Sequence, residues 1–299
     1  MGRRATINAR ARRRRILTLS AIVGVIAVVA VVYLVVSTGI DPYSSYVGQP
    51  VSASVLQQVT GVSDSTLNAV GAISGVSPPV SISGPSLTSN GKPEVLFVGG
   101  EYCPFCAVER WSMIVALSRF GQFTGLEYMQ SSSTDVNPNT PTFTFSSATY
   151  TSQYITFVPV EQFDRAGSIR QPLTSDQQAL VTEYDTCSGS SSSGGIPFID
   201  IDNAYAVNCG AQFNLDISGG NWTQIASQLN DPNSNTARLV DSAADSLITA
   251  ICKVDGGQPS SVCSQSYATV SLAYTSADPG TVTTALVAPT RPRYPTWTA

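Results

Sequence analysis

Histidine is absent from the 299 residues of the chain, and lysine occurs only twice, at Lys92 and Lys253. The lack of histidine excludes Ser-His-Asp and Cys-His catalysis, as well as zinc sites built from cysteine and histidine. Charged residues of either sign are few, at 12% of the chain. Beyond the N-terminal region the sequence has no basic cluster of the kind that binds nucleic acid, so we expect no nucleic-acid partner.

Basic residues are concentrated at the N-terminus. Seven of the 16 lysines and arginines are arginines within residues 1–15, and all 20 acidic residues lie further along the chain. Residues 16–36, ILTLSAIVGVIAVVAVVYLVV, carry no charge. This run has about the length that a helix needs to cross a bilayer, roughly 20 residues. By the positive-inside rule the sequence predicts a single-pass protein of the cell membrane, with a cytoplasmic N-terminus and an extracytoplasmic main domain.

This N-terminal region has two alternative interpretations besides a membrane anchor, namely a cleaved signal peptide and a twin-arginine export signal. A cleaved signal peptide has a shorter apolar run and a small-x-small cleavage site, and VVSTGIDPY is a poor match to such a site. A twin-arginine signal also fits RRRRILTL, although any run of arginines matches that pattern. The part after the apolar run carries a net charge of about −11, from nine basic and 20 acidic residues. Such an acidic surface keeps an exported domain soluble.

Composition divides the chain into five segments. They are a basic cytoplasmic tail at 1–15, a transmembrane helix at 16–37, a linker and helical lead-in at 38–78, an α/β domain at 79–263, and a Ser/Thr/Pro-rich, loosely ordered tail at 264–299. In the domain, residues 80–82 and 94–98 are predicted strands around a turn at Asn90 and Gly91. A helix over residues 103–120 follows, with Gly121 as its C-cap, and then a strand at 125–133. Thr174 is expected to cap a further helix that begins at residue 175. This order predicts a crossover in a mixed sheet with flanking helices and a strand-rich insertion, to which a hairpin at 196–207 adds antiparallel strands.

Cys103 and Cys106 form a CPFC motif where the first strand meets this helix. A cysteine at a helix N-terminus lies beside unpaired backbone N–H groups and the positive end of the helix dipole, which stabilise its thiolate. We therefore expect Cys103, with an exposed sulfur, to be the nucleophile. Cys106, one turn inside the helix and more buried, is expected to be the resolving thiol. Pro104 suits the first helical turn. A half zinc site, a Cu(I) clip or a static structural disulfide are the alternatives.

Ile196 and Pro197 begin the late hairpin, after Gly194 and Gly195. This position suits a cis peptide bond. In thioredoxin-type proteins, which this part of the chain resembles, such a loop faces the CxxC motif and hydrogen-bonds the backbone of a bound peptide. The resemblance therefore implies substrate binding by Ile196, Pro197 and Tyr102. The alternative is a trans proline that simply initiates a strand.

The other four cysteines are predicted to form structural disulfides, because an even number of cysteines in an oxidising compartment favours pairing. Cys252 and Cys263 flank the short turn-rich stretch KVDGGQPSSV, and Cys187 and Cys209 flank the hairpin. The second pair has an alternative role as a redox pair that exchanges electrons with Cys103 and Cys106.

Three charged residues lie near the CPFC motif. Glu109 and Arg110 follow Cys106 by three and four positions and are candidates for tuning the thiols or relaying protons. The more common interpretation of such a pair is a solvated helix face. Glu101 precedes the motif and would raise the pKa of the thiols if it lay close to them.

Four separated stretches of the chain resemble one family, the prokaryotic exported proteins grouped as domain of unknown function 929. They are KPEVLFVGGEYCPFCAVERWSMIVALSRFGQFTGL, NPNTPTFTFSSATYTSQYITFVPVE, IPFIDIDNAY and LITAICKVDGGQPSSVC. The resemblance implies a thioredoxin-like fold for the domain at 79–263. CPFC is also similar to the CPYC of glutaredoxins. Tyr102 stands where thioredoxins carry a tryptophan, and EVLFVGG lacks the buried carboxylate of their preceding strand.

Together these features predict a membrane-anchored, extracytoplasmic thiol–disulfide oxidoreductase. Its partners are expected to be thiols or disulfides of exported proteins, a redox partner of unknown identity, and the membrane through the N-terminal helix. No cofactor and no metal are expected. The alternative is a non-enzymatic thioredoxin-fold module that binds a partner or Cu(I) and has structural cysteines.

Overall fold

The structure is a computed structural model that describes residues 21, 23–31, 41–187 and 194–272. The chain forms two compact units, Met1–Pro42 and Tyr43–Ala299. In the first unit, residues 21 and 23–31 are helical and exposed. Most of the transmembrane helix predicted at 16–37 lies outside the described residues, as does all of the basic tail at 1–15. Within the described ranges, no helix combines the length and the apolar character needed to cross a membrane.

The second unit is a mixed α/β fold. Its strands in the described ranges are β1 (Val80–Ser81), β2 (Thr88–Ser89), β3 (Lys92–Gly100), β4 (Gly121–Thr124), β5 (Glu127–Gln130), β6 (Pro141–Thr144), β7 (Thr149–Ser152), β8 (Thr156–Phe163), β9 (Phe198–Ile201) and β10 (Tyr205–Val207). Its helices there are α1 (Ala53–Thr60), α2 (Asp64–Val70), α3 (Pro104–Leu117), α4 (Ser175–Tyr184), α5 (Trp222–Gln228), α6 (Asn235–Val254) and α7 (Ser260–Cys263). Short 3-10 turns lie at Ser44–Tyr46 and Ser266–Thr269.

The central sheet has six strands in the order β1-β10-β9-β3-β2, with β8 also paired to β3. Strand β3 is the middle of this sheet, because β8 pairs with it in parallel and β9 in antiparallel orientation. Residues 95–100 of β3 are all buried. The sequence of this part of the strand is accordingly a continuous run without charged residues, as expected for a strand covered on both faces. It ends directly before the CPFC motif.

Two expected strand pairings were wrong. The strand expected at 125–133 is β5, which pairs with β6 in a separate two-stranded sheet. The parallel partner of β3 is the later strand β8. The turn at Asn90 and Gly91 does form a hairpin, but it joins β2 to β3, whereas Val80 pairs with Ala206. Local periodicity identifies a strand, but its partner is chosen by contacts that are distant in sequence.

Helix α3 packs against the long helix α6 and against β6, so both of its faces are covered. Trp111 in its middle is fully buried and donates its indole N–H to the carbonyl of Pro141 at 2.9 Å. We expected Gly121 to end this helix, but the helix ends at Leu117 with Ser118 as C-cap, and Gly121 begins β4.

Residues on either side of the α/β domain also pack into its core. The lead-in helix α1 contacts α3 and α5, and α2 contacts α6. Their apolar side chains are almost completely buried, namely Val55, Val59, Val62 and Leu67. At the other end, Tyr267 is 1% exposed, so the first residues of the segment at 264–299 pack against α6 instead of forming a loose tail. Residues 273–299 lie outside the described ranges.

Candidate functional site

The two cysteines of the CPFC motif lie at the end of β3, where the chain turns into α3. Cys103 is the N-cap of α3, and Pro104 occupies its first turn. The Cys103 sulfur accepts the backbone N–H of Cys106 at 3.3 Å. The sulfur thus replaces the oxygen of an ordinary N-cap side chain, and its position leaves it beside the unpaired N–H groups of the helix.

Both thiols are reduced and buried. Cys103 is 4% exposed and Cys106 is 0% exposed. Cys103 is therefore the more exposed of the two thiols, as expected. It is nevertheless much less accessible than we predicted from its place at a helix start. The packing of the hairpin loop over the motif is the reason for this difference.

The pKa values of the two thiols move in opposite directions. Burial raises the pKa of Cys103, but hydrogen bonds from the thiol and the backbone N–H of Cys106 outweigh it, with help from Arg110, and the net pKa is lowered. Burial raises the pKa of Cys106 well above its ordinary value, and its hydrogen bond to Cys103 and the charge on Cys103 add to the rise. In the reduced protein the first thiol to ionise is therefore Cys103.

The hairpin loop lies against the first cysteine. The Cys103 thiol donates to the carbonyl oxygen of Ile196 at 3.6 Å, and the Ile196–Pro197 peptide bond is cis. Gly100 lies close to the same loop, since a Cβ atom at that position would be 3.1 Å from the Ile196 Cδ1 atom. The structure therefore brings Ile196 and Pro197 to the CPFC motif, as the sequence predicted.

Tyr102 is the half-buried residue next to the motif. Its ring packs edge-on against Phe163 with 5.7 Å between centroids, and its carbonyl accepts the N–H of Ser132 at 2.8 Å. Burial raises the pKa of the Tyr102 hydroxyl to about 12, with smaller contributions from the two thiols and Asp135. Tyr102 thus stays neutral and presents a partly exposed aromatic surface beside Cys103.

Arg110 is fully buried, which corrects the interpretation of residues 109 and 110 as a solvated helix face. Its Nε and Nη2 atoms donate to the two carboxylate oxygens of Glu161 at 2.9 and 2.6 Å. Nη2 also donates to the carbonyl of Gly100 at 3.0 Å. Sequence reasoning missed Glu161, although a single acidic residue within the apolar strand VPVEQF was a signal of a buried partner.

Glu109 is also fully buried, but it has no cation beside it in the described part of the chain. One carboxylate oxygen accepts the backbone N–H of Gln212 at 2.9 Å, and the other accepts the Ser112 hydroxyl at 3.1 Å. Burial raises the pKa of Glu109 to about 7, and these two hydrogen bonds limit the rise. Glu109 therefore links α3 to the segment after β10.

Glu101 is buried at the turn before the motif. It accepts the hydroxyl of Thr144, and its other oxygen lies 3.6 Å from the half-exposed Arg170. Neither thiol's pKa shift has Glu101 among its causes, whereas Glu101 does raise the pKa of Arg110. Glu101 therefore does not act directly on the pKa of either thiol. Its charge acts on Arg110 instead, which in turn lowers the pKa of both thiols.

The remaining cysteines form the two predicted disulfides, Cys187–Cys209 and Cys252–Cys263. The first lies at the base of the hairpin, where the Cys209 N–H donates to a buried carboxylate oxygen of Asp185 at 2.8 Å. The second joins the end of α6 to α7. In the described residues, no group of three or more His, Cys, Asp and Glu side chains is arranged to hold a metal ion.

Comparison with known proteins gives one match. A family model described as Domain of unknown function (DUF929) matches residues 78–253, which is more than half of the chain. Neither the curated proteins nor the solved structures contain a match.

Proposed function

The chain belongs to the DUF929 family, and we propose that it is a thiol–disulfide oxidoreductase that acts on exported proteins through Cys103 and Cys106. The observation that carries this proposal is the asymmetry of the pair. One thiol caps a helix and has a lowered pKa, while the other is more deeply buried and has a raised pKa. A static disulfide needs no such difference, whereas exchange needs one thiol to attack and the other to wait.

In the reductive direction the Cys103 thiolate attacks one sulfur of a substrate disulfide. A Cys103–substrate bond forms, the substrate S–S bond breaks, and the second substrate sulfur leaves as a thiolate that takes up a proton. Cys106 then loses its proton and attacks the Cys103 sulfur. The Cys103–Cys106 bond forms, the substrate sulfur leaves as a thiolate, and two electrons have passed from the protein to the substrate. The same steps in reverse oxidise a substrate dithiol.

The arrangement around the motif supports a thioredoxin-like interpretation of this mixed sheet. A buried strand leads into the CPFC helix, a parallel strand lies on one side, and a hairpin that begins with a cis proline lies on the other. In this proposal Ile196, Pro197 and Tyr102 hold the substrate backbone next to Cys103. An unidentified membrane or soluble dithiol restores the redox state of the pair.

We place the domain outside the cytoplasm, anchored by residues 16–37. The charge distribution and the two disulfides support this location, because disulfides persist in oxidising compartments.

The test is capture of mixed disulfides in cells that make the full chain. Cys106→Ser leaves Cys103 without its resolving thiol, so exported proteins should remain attached to Cys103 and be released by dithiothreitol. Cys103→Ser is the matched control and should capture none. If neither variant captures a partner and the pair resists mild dithiols, the cysteines are structural and the rival interpretation as a binding module is favoured.

A further inference from the structure

We infer that Arg110 is a positioning residue for thiol exchange, whose guanidinium stabilises the negative charge that alternates between the sulfurs of Cys103 and Cys106. The inference rests on the proposed function, because only exchange moves a negative charge between the two sulfurs. It assigns a role to a buried cation on the CPFC helix that the mechanism above does not otherwise use.

The guanidinium is held in one orientation. Two of its nitrogens are fixed by both oxygens of Glu161, and one of these also donates to the Gly100 carbonyl. The aromatic ring of Phe97 lies 5.5 Å from its central carbon. Glu161 is itself fixed, since the N–H of Phe145 donates to its carboxylate at 3.2 Å. A bidentate, fully buried pair of this kind costs little further entropy when a charge develops next to it.

Gly100 contacts the guanidinium, the backbone of Cys103 and the thiol of Cys106. Its carbonyl accepts Arg110 Nη2 at 3.0 Å and the backbone N–H of Cys103 at 3.3 Å. The two donor nitrogens are therefore no further apart than the sum of those two distances. The backbone N–H of the same glycine lowers the pKa of the Cys106 thiol. One residue at the end of β3 thus touches Arg110, Cys103 and Cys106.

One end of the guanidinium remains unpaired. The Nη1 atom of Arg110 is buried and has no hydrogen-bond partner among the residues that the structure describes. An unsatisfied donor on a buried charged group costs stability, so its presence calls for a use in another state. A thiolate that appears on Cys106 during the resolving step supplies an acceptor charge. In agreement, Arg110 lowers the pKa of both thiols.

The other charged groups near Arg110 determine how large its effect is. Glu161 on β8 neutralises most of its charge, and Glu101 from the turn before the motif acts in the same sense. Tyr102 also lies near the two thiols, but its hydroxyl stays neutral. Removal of the Glu161 charge should therefore strengthen the effect of Arg110 on the pKa of the thiols. Removal of the Arg110 and Glu161 charges together should abolish that effect. These two changes predict shifts of opposite sign.

The experiment measures the pH midpoint of Cys103 alkylation by iodoacetamide in the reduced full chain with Cys106→Ser, so that one thiol of the pair reports. Glu161→Gln should lower the midpoint. Arg110→Met combined with Glu161→Gln should raise it, so that alkylation below the midpoint slows about tenfold, which corresponds to one pKa unit. Arg110→Lys keeps the charge and should move the midpoint less than the double variant does.

The role of Arg110 would be overturned if Glu161→Gln alone and the double variant shifted the midpoint in the same direction. It would also be overturned if the double variant melted cooperatively, and so was folded, but left the midpoint unchanged. The double variant avoids an uncompensated buried charge, so it is expected to fold. The alkylation midpoint needs no substrate. A midpoint that moves as expected without any captured partner contradicts only the exchange function, and capture with an unmoved midpoint contradicts only the role of Arg110.

Discussion

The thiol of Cys103 lies 3.6 Å from the carbonyl oxygen of Ile196, although 93 positions separate the two residues in the chain. The contact joins the N-terminus of the CPFC helix to the start of the late hairpin. Cys103 is 4% exposed and Cys106 is 0% exposed, so Cys103 is the more accessible of the two thiols. The loop at Ile196 is therefore in contact with the thiol that an external reagent meets first.

The first prediction concerns the order in which the two thiols react. In the reduced protein near neutral pH, iodoacetamide should modify Cys103 before Cys106, because the pKa of Cys103 is lowered and that of Cys106 is raised. Peptide mass spectrometry over a time course measures the order. Prior unfolding in urea should make the two rates similar, which serves as the control. Faster modification of Cys106 in the folded protein would reverse the assigned roles.

Features that depend on short-range chemistry were predicted well from the sequence. Thr174 was expected to cap a helix from residue 175, and it does so with a full capping box that includes Gln177. The helix after Cys103 and the hairpin around Asp202 and Asn203 also lie where the sequence placed them. In each case the signal is contained within one element: a capping side chain, a helical stripe, or a turn.

Features that depend on partners distant in the sequence could not be predicted in this way. Arg110 and Glu109 were interpreted as solvent-exposed, since charged side chains rarely lie in a core without a partner. The partner of Arg110 is Glu161, 51 positions away on a strand whose pairing with β3 was also unexpected. Without the sheet order, nothing in the sequence places these two side chains together.

The second prediction is that the lead-in at residues 43–78 is needed for folding, although the family match begins at residue 78. Four of its core side chains are at most 1% exposed, namely Val55, Val59, Val62 and Leu67. Each buried aliphatic side chain contributes about 1.5–3 kcal/mol. A chain that begins at residue 79 should therefore lose cooperative thermal unfolding by circular dichroism, while one that begins at residue 41 should retain it.

A point substitution tests the same idea without removing any backbone. Leu67→Ala should lower the free energy of unfolding by about 2–5 kcal/mol, because it leaves a cavity in a well-packed core. The control Gln57→Ala removes an exposed side chain from α1 and should change little. Equal effects of the two substitutions, or an unaltered melt of the chain that begins at residue 79, would show that the lead-in is only a linker.

The third prediction concerns topology. Seven arginines precede an uncharged apolar run, so a periplasmic or secreted-type reporter enzyme fused after Ala299 should be active only outside the cytoplasm. The protein should also stay with the membrane fraction after a high-salt wash, and it should leave that fraction when residues 1–37 are replaced by a cleavable export signal. Reporter activity in the cytoplasm, or release of a soluble product cut near Ser37, would contradict the anchor.

The fourth prediction rests on two carboxyl groups in the interior, at Asp241 and Asp245. They lie one turn apart on α6, both are 0% exposed, and none of their oxygens has a hydrogen-bond partner among the described residues. Burial raises the pKa of Asp241 well above its ordinary value. Burial, and then the neighbouring Asp241, raise the pKa of Asp245 to about 9, while Arg119 opposes the rise. Asp245 is therefore neutral in the folded protein at pH 7.

The sign of the pH dependence follows from these raised pKa values. In the unfolded chain an aspartate loses its proton near its ordinary pKa of 3.8, whereas the folded protein keeps the proton of Asp245 up to about pH 9. Between those values the folded state binds more protons, so the free energy of unfolding falls as the pH rises. Asp245→Asn cannot ionise and should lose this dependence. We expect a stabilisation on the order of 4 kcal/mol at pH 7, which vanishes near pH 4.

Urea unfolding at several pH values between 4 and 8 measures this effect in the full chain. The matched control is Asp176→Asn, which removes an exposed carboxylate from the first turn of α4 and should give no gain at any of these pH values. If the advantage of Asp245→Asn did not grow with pH, the buried carboxyl would have to be ionised in the folded protein, paired with Arg119 across the end of α3. The slope of stability against pH thus decides between a neutral and an ionised aspartate in this part of the core.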